Sequence, residues 1–526
     1  MVVKTLSFLR QHQTKGLFGD CILPFFCTQS LRTHSTPFAS TLKEFKDIPG
    51  PGGLAQWPVV GSLFNFKPFT HFTPANLDKL IEYMVYRYGP IVRLQLSGPK
   101  VILSNPKDLE IVYQHEGRYP IRPATDLGSL YCQRNNVPGG FAEVQGEDWY
   151  ALRSPANKFL LRADCAAQYL SVQDVVAQDF ADLLEKSQCN PEELAGLFFR
   201  YASESNGVVC FNTRLGCLRD INTRNPETER FLNAMAQVFL QLQNSVSGKS
   251  VAHKFYRNKT YKLYEEACNT VHEISSKHLK NALNRVKQEQ AKDSLSLNEF
   301  TLLNSMIKEE SLTLSQIQVI LSALHNAGTE STAKNMQVLF YNLARNPDKQ
   351  EKLYEEIQAT VEQDQPITKD ALAQMPYLRA CLKESFRLIK PTIFSTHRVL
   401  NEDVVIQGYR IPAGIPLVFT QVKCCSEYFS EPEKFIPERW LRSYGNRKLE
   451  NPPPAFVNLP FGHGPRKCLG WRFAEQEIYL ATVRVLQKLR IHIQPESENC
   501  GFKYLIFVEP VKPISFYFTK REKHNG

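Results

Sequence analysis

Pro460-Phe461-Gly462-His463-Gly464-Pro465-Arg466-Lys467-Cys468-Leu469-Gly470 is a glycine-rich loop that closes on a cysteine, and a helical pattern runs on from Trp471 to about Leu489. Gly464 can adopt backbone angles closed to other residues, and Gly470 lets a flat ligand lie against the main chain. The N-terminus of the following helix and the loop amides favour the thiolate of Cys468 over its thiol. The bland alternative is a buried structural cysteine after a turn.

Working outward from this loop, the chain reads as mostly helix. Apolar residues recur at helical spacing from about 147 to 390, including one long run from Leu314 to Arg345 that stops at Asn346-Pro347. Asn76 to Tyr88 is a further helix, and Ile91 to Leu96 and Val101 to Leu103 form a hairpin across Ser97-Gly98-Pro99-Lys100. Short strands return at Val404 to Ile406, at Ile411, and in the segments Lys503 to Val508 and Ile514 to Phe518. The expected fold is mainly α with small β-sheets (α+β). Asp47-Ile48-Pro49-Gly50-Pro51-Gly52-Gly53 resists helix, so the folded body should begin near Trp57 to Gly61. The expected division is a leader over 1–46, a Pro/Gly-rich lead-in over 47–61 and one domain over 62–526.

The 526 residues, 43% hydrophobic and 11% aromatic, suffice for a large buried core. A net charge of +10 suits nucleic acid, an anionic membrane or an acidic protein, and does not choose among them. Thirteen irregularly spaced cysteines fit a reducing compartment better than a disulfide scaffold. No apolar stretch is long enough to span a membrane; Leu17 to Cys27 is short and broken by Asp20 and Pro24. Lys4, Arg10, Lys15 and Arg32 against Asp20, in a Ser/Thr-rich stretch, have the profile of a mitochondrial transit peptide, with a disordered basic tail as the alternative.

Four further motifs stand in order along the chain. Trp149 and Arg153 make W-x-x-x-R; Ala327-Gly328-Thr329-Glu330-Ser331-Thr332 lies within the long helix; Glu384 and Arg387 make E-x-x-R; and Phe435-Ile436-Pro437-Glu438-Arg439-Trp440 precedes the cysteine loop. With the loop pattern F-x-x-G-x-R-x-C-x-G, carried by Phe461, Gly464, Arg466, Cys468 and Gly470, this set resembles the cytochrome P-450 family. A thiolate on haem iron pushes electron density toward bound oxygen and favours O–O cleavage.

The resemblance implies a single haem domain, haem b as cofactor, and Cys468 as its axial ligand. Phe461, Gly464, Arg466 and Gly470 would shape the haem loop, with Trp149, Arg153, Arg398 and Arg466 at propionate-binding positions, where a guanidinium matches a carboxylate. Glu384, Arg387 and Arg439 would form a structural ion network. Gly328 would leave room for dioxygen, and Glu330 with Ser331 or Thr332 would relay protons; Ser331 stands at the family's usual threonine. Tyr119-Pro120-Ile121-Arg122-Pro123 and the basic pair Arg379 and Lys383 are similar to the mitochondrial branch, whose electrons come from an acidic [2Fe-2S] ferredoxin and its reductase. Trp471 departs from the basic residue usual there. The expected activity is insertion of one atom of O2 into a lipophilic, sterol-like substrate of the steroid or ecdysteroid kind. The implied location is the mitochondrial matrix side, peripheral to the inner membrane, with no transmembrane helix and no nucleic-acid partner. Alternatives are a peroxide-rearranging isomerase, a xenobiotic or fatty-acid monooxygenase, and a non-catalytic haem sensor. Substrate specificity should reside in the 118–146 loop, in helices between 195 and 260, and near Ile393 to Thr396.

Overall fold

Caps and prolines set the limits of the helices. The computed structural model describes residues 42–522 apart from 58–59, 97, 187–189, 220–222, 248–251, 292–300, 364, 422–426, 442–452 and 454. Most of the expected leader, 1–41, lies outside the described residues. The helices among these residues are α1 (Leu77–Tyr88), α2 (Pro106–His115), α3 (Asp126–Asn135), α4 (Gly146–Leu160), α5 (Leu170–Lys186), α6 (Pro191–Phe211) and α7 (Pro226–Val246). They continue as α8 (Lys259–Ala291), α9 (Leu302–Ile307), α10 (Leu314–Arg345), α11 (Pro347–Thr360), α12 (Lys369–Ala373), α13 (Pro376–Leu388) and α14 (Trp471–Lys488).

Helix α10 organises the rest. Thr313 and Gln316 form a capping box at its start, and Asn346 ends it where Pro347 opens α11. It lies along α6 and touches α7, α8, α11, α13 and α14. The largest apolar core is built on these contacts, and includes Phe180, Phe198, Tyr201, Phe340 and Leu486.

The strands are β1 (Ile91–Gln95), β2 (Pro99–Leu103), β3 (Phe394–Val399), β4 (Val404–Ile406), β5 (Tyr409–Ile411), β6 (Pro416–Thr420), β7 (Leu489–Ile493), β8 (Phe502–Tyr504), β9 (Val508–Pro510) and β10 (Phe516–Lys520). The main sheet has the order β1-β2-β6-β3. In it β1 and β2 are the expected hairpin, with Ile91 opposite Leu103, while β6 joins β2 in parallel. Mainly helical architecture with small sheets agrees with the sequence reading.

Two local expectations are corrected. The body does not begin near Trp57: Lys43 pairs through its backbone with Gly408 and Arg410, and Arg93 N donates to Pro49 O at 2.7 Å. Ile48 is buried in the core beneath the sheet. Gly50 permits this approach, since a Cβ there would meet Arg93 O at 2.1 Å. The 118–146 segment is not all loop, because α3 lies within it. Strand β7 went unpredicted; Leu489-Arg490-Ile491-His492-Ile493 alternates as a strand should, directly after a helix.

Candidate active site

The cysteine loop is held by its own backbone. Cys468 N donates to Phe461 O at 2.9 Å and Lys467 N to Gly464 O at 3.0 Å, closing the turn just ahead of α14. Gly464 has φ +73°, and a Cβ there would meet Glu116 Oε1 at 2.3 Å, so both conformation and space demand glycine. Burial pushes the Cys468 thiol up, against the Gly470 amide and the charges of Arg153, Lys467 and Arg122, which favour the thiolate. Protein surrounds Cys468 densely, yet its side chain keeps accessible surface, so the sulfur faces an internal space.

That space is ringed by arginine. Arg122, exposed by surface yet enclosed by protein, is pushed down by burial and by Arg398, with Cys468 and Glu143 opposing. Arg466 is pushed down to about 9 by burial and by repulsion from Arg122, Arg398 and Arg153. Burial alone brings Arg153 down to about 10, with Cys468 opposing. Against these four cations stand Glu116 and Glu143, both shifted toward the neutral form by burial. Four arginines against two carboxyls leave the ring at least two positive charges in excess before the Cys468 thiolate is counted.

The predicted propionate residues differ in how far they are already engaged. Arg398 Nε donates to Glu116 Oε2 at 2.5 Å. Arg466 donates to Pro120 O, Phe141 O and Gln145 Oε1 at 2.8–3.1 Å and stacks on the Trp149 ring at 3.9 Å. Arg153 reaches Asn157 Oδ1 at 2.8 Å and the Lys467 carbonyl. Trp149 is buried, and its Nε1 has no partner. A buried unpaired N–H, an excess of cations and a sulfur facing open space fit a flat metal-bearing ligand with two carboxylates, as haem is. The sequence reading quoted Arg122 without giving it this place; its signal was a lone arginine two residues past Pro120 and directly before Pro123.

Behind this ring the E-x-x-R network closes on itself. Arg387 donates to both Glu384 oxygens at 2.8 Å; Ile436 N, Arg439 Nε and Trp440 Nε1 add three more bonds to the same carboxylate at 2.8–3.0 Å. The remaining Arg387 donors reach Pro432 O and Lys434 O. Glu384 and Arg387 are fully buried, so this completeness is what makes the charges tolerable.

On α10, the oxygen-side segment sorts by helix face. Gly328 does not open onto the site: a Cβ there would meet Asn206 Oδ1 of α6 at 2.4 Å, so its role is close helix packing. Ala327, on the next face, keeps accessible surface, and Ser331 one turn on donates to its carbonyl at 2.8 Å. Thr332 is buried with its hydroxyl unpartnered. Glu330, raised by burial, pairs with Lys334 at 2.8 Å, and Lys334 also reaches Glu509. Facing thus separates Ser331 from Thr332, which spacing could not.

Arg379 and Lys383 also part company. The Arg379 guanidinium donates to Leu372 O and Ala373 O at the end of α12, which commits it to structure, while Lys383 is exposed. Lys383 joins Lys467, Arg472 and Arg379 around Glu475, whose carboxyl burial raises and these cations lower. Trp471 sits between Lys467 and Arg472, each 4.2 Å from its ring centre.

The family described as cytochrome P-450 matches residues 51–518. The chain is 30% identical over 506 residues to the probable mitochondrial cytochrome P-450 12a5 of Drosophila melanogaster, covering 91% of each. It is 30% identical to the probable mitochondrial cytochrome P-450 12b2 of the same fly, over 90% of this chain and 89% of the relative. It is 29% identical to the mitochondrial 1,25-dihydroxyvitamin D(3) 24-hydroxylase of Rattus norvegicus, over 90% of this chain and 89% of that protein. With the cysteine loop, the closed glutamate network and the arginine ring in place, the match over nearly the whole chain means that the protein belongs to the cytochrome P-450 family of monooxygenases, which implies a haem-thiolate cofactor.

Proposed function

We propose that the protein is a mitochondrial, ferredoxin-dependent hydroxylase of a sterol-like lipid that uses haem b on Cys468. The observation that carries this reading is the basic face of Lys383, Lys467 and Arg472 around Trp471 beside the cysteine loop. Such a face would steer an acidic one-electron carrier by long-range attraction and release it readily. Support also comes from the mitochondrial names of the relatives, the vitamin D hydroxylase among them, and from the composition of the leader.

When bound, haem supplies the activation of dioxygen that puts one oxygen atom into a C–H bond and releases the other as water. The chain's own residues do the rest. Cys468 would hold the haem iron through its thiolate, and Trp149 Nε1 with Arg122, Arg153, Arg398 and Arg466 would receive the two carboxylates. Ser331 holds a hydroxyl on the open face of α10, and Glu330, raised by burial and paired with Lys334, would hold the proton that this hydroxyl passes inward. Gly328 serves helix packing, and Ala327 is the small residue on the open face.

Among the described residues no helix is long and apolar enough to cross a membrane. Leu63, Phe69, Phe255 and Tyr256 are 61%, 60%, 86% and 62% exposed, which suits peripheral contact with a bilayer. Titration of the purified holoprotein with sterols, fatty acids and xenobiotics tests the substrate class. The expected result is a low-to-high spin shift with sterols; shifts confined to the other two classes would refute the sterol reading.

A further inference from the structure

One buried carboxyl lies outside all of these roles. Glu477 is fully buried on α14, about two turns beyond the cysteine loop. Two other acids buried in the helical core are paired with arginine: Asp174 with Arg484 at 2.6 Å, Glu204 with Arg214 at 2.5 Å. Around Glu477 the neighbours are uncharged. Gln173 Nε2 donates to its Oε1 at 3.0 Å and Asn206 Nδ2 to its Oε2 at 3.1 Å, with the hydroxyls of Ser205 and Thr332 beside it.

A buried carboxylate facing only amides and hydroxyls is costly, so such a group takes up a proton. Burial indeed pushes Glu477 up to about 8, with Ser205, Thr332, Asn206 and Gln173 opposing. The acid proton then needs an acceptor. Both oxygens already receive amide N–H groups, Ser205 Oγ accepts from Gln173 at 2.9 Å, and Thr332 Oγ1, buried beside the carboxyl, has no other hydrogen-bond partner. The surplus donor and the orphan acceptor answer each other.

We propose that Glu477 is a positioning residue for the oxygen-side turn of α10, acting as an un-ionised carboxylic acid that donates to Thr332 while Gln173 and Asn206 hold it in place. Asn206 is also the residue that a side chain at position 328 would strike, so the same group sets how closely α10 approaches α6. Because α14 starts directly after the cysteine loop, one helix links the iron-ligating sulfur to the turn that carries Ser331. The inference rests on family membership and is independent of the proposed substrate and electron donor.

The test is infrared difference spectroscopy of the ferrous carbon monoxide holoprotein before and after photolysis, at neutral pH in light and heavy water. A deuterium-sensitive carboxylic acid carbonyl band is expected in the native protein, lost in Glu477→Gln and shifted in Thr332→Val. Absence of the band from the native protein, its survival in Glu477→Gln, or an unshifted band in Thr332→Val would each overturn the proposal. Should Glu477→Gln fail to fold, the native and Thr332→Val spectra still decide. None of these readings depends on which lipid is oxidised.

Discussion

Two groups of enclosed arginine lie at opposite stages of completion. Arg387 and Arg439 surround one carboxylate whose oxygens together receive five hydrogen bonds, and the spare Arg387 donors end on carbonyls. Arg122, Arg153, Arg398 and Arg466 repel one another around Cys468, facing two acids that burial drives toward neutrality. The polypeptide finishes the first group, whereas the second keeps an excess of cations that the carboxylates of the family's haem would meet. Two tryptophans repeat the contrast: Trp440 Nε1 donates to Glu384 Oε2 at 2.8 Å, whereas Trp149 Nε1 donates to nothing. Burying charge is tolerable only when it is compensated, so the ring's excess of cations identifies where the chain would take an anion.

The largest expected effect breaks the finished group. Arg387→Ala leaves Glu384 buried without its main partner and should cost about 3–5 kcal/mol, read as a lower denaturation midpoint with or without haem. An unchanged midpoint would remove the network from the folding account. In the unfinished group the sign separates: Arg466→Ala should speed haem transfer to an acceptor protein roughly tenfold or more, a loss of about 1.5–3 kcal/mol for a charged hydrogen bond. The apoprotein should not lose comparable stability, because one of four repelling cations has gone.

The tryptophans sharpen the contrast at smaller scale. Trp440→Phe should destabilise apoprotein and holoprotein alike by about 1.5–3 kcal/mol, while Trp149→Phe should weaken haem retention only, by about 1 kcal/mol. Equal effects on the two apoproteins would erase the distinction. The smallest effect belongs to the exposed face, where Lys383→Glu should raise the half-saturating ferredoxin concentration several-fold at low ionic strength and hardly at all in high salt. Arg379→Ala should instead loosen the end of α12, since its guanidinium holds Leu372 O and Ala373 O.

What the sequence disclosed was local pattern. The cysteine loop, E-x-x-R and the ends of α10 are short-range chemistry, written in glycines, in i,i+3 spacing, and in Thr313, Gln316 and Pro347. What it concealed was direction. Gly328 and Ala327 are neighbours in the chain, yet one faces α6 and the other the open side, and only the packing of Asn206 reveals which is which. Arg379 looked free because its acceptors are carbonyls, which carry no residue-specific signal. Residues 47–61 looked like a lead-in, and those before them like a leader, because proline and glycine exclude helix, but they do not exclude backbone pairing to a sheet. Tertiary neighbours decide such cases, and they are not written at any fixed spacing.

The most direct test is Cys468→Ser, followed by the carbon monoxide spectrum of the reduced protein. With the thiolate as axial ligand, the strongly red-shifted band of ferrous haem-thiolate should disappear while the Glu384 network keeps the protein folded. A variant that retained that band would contradict the assignment of Cys468 and the account built on it.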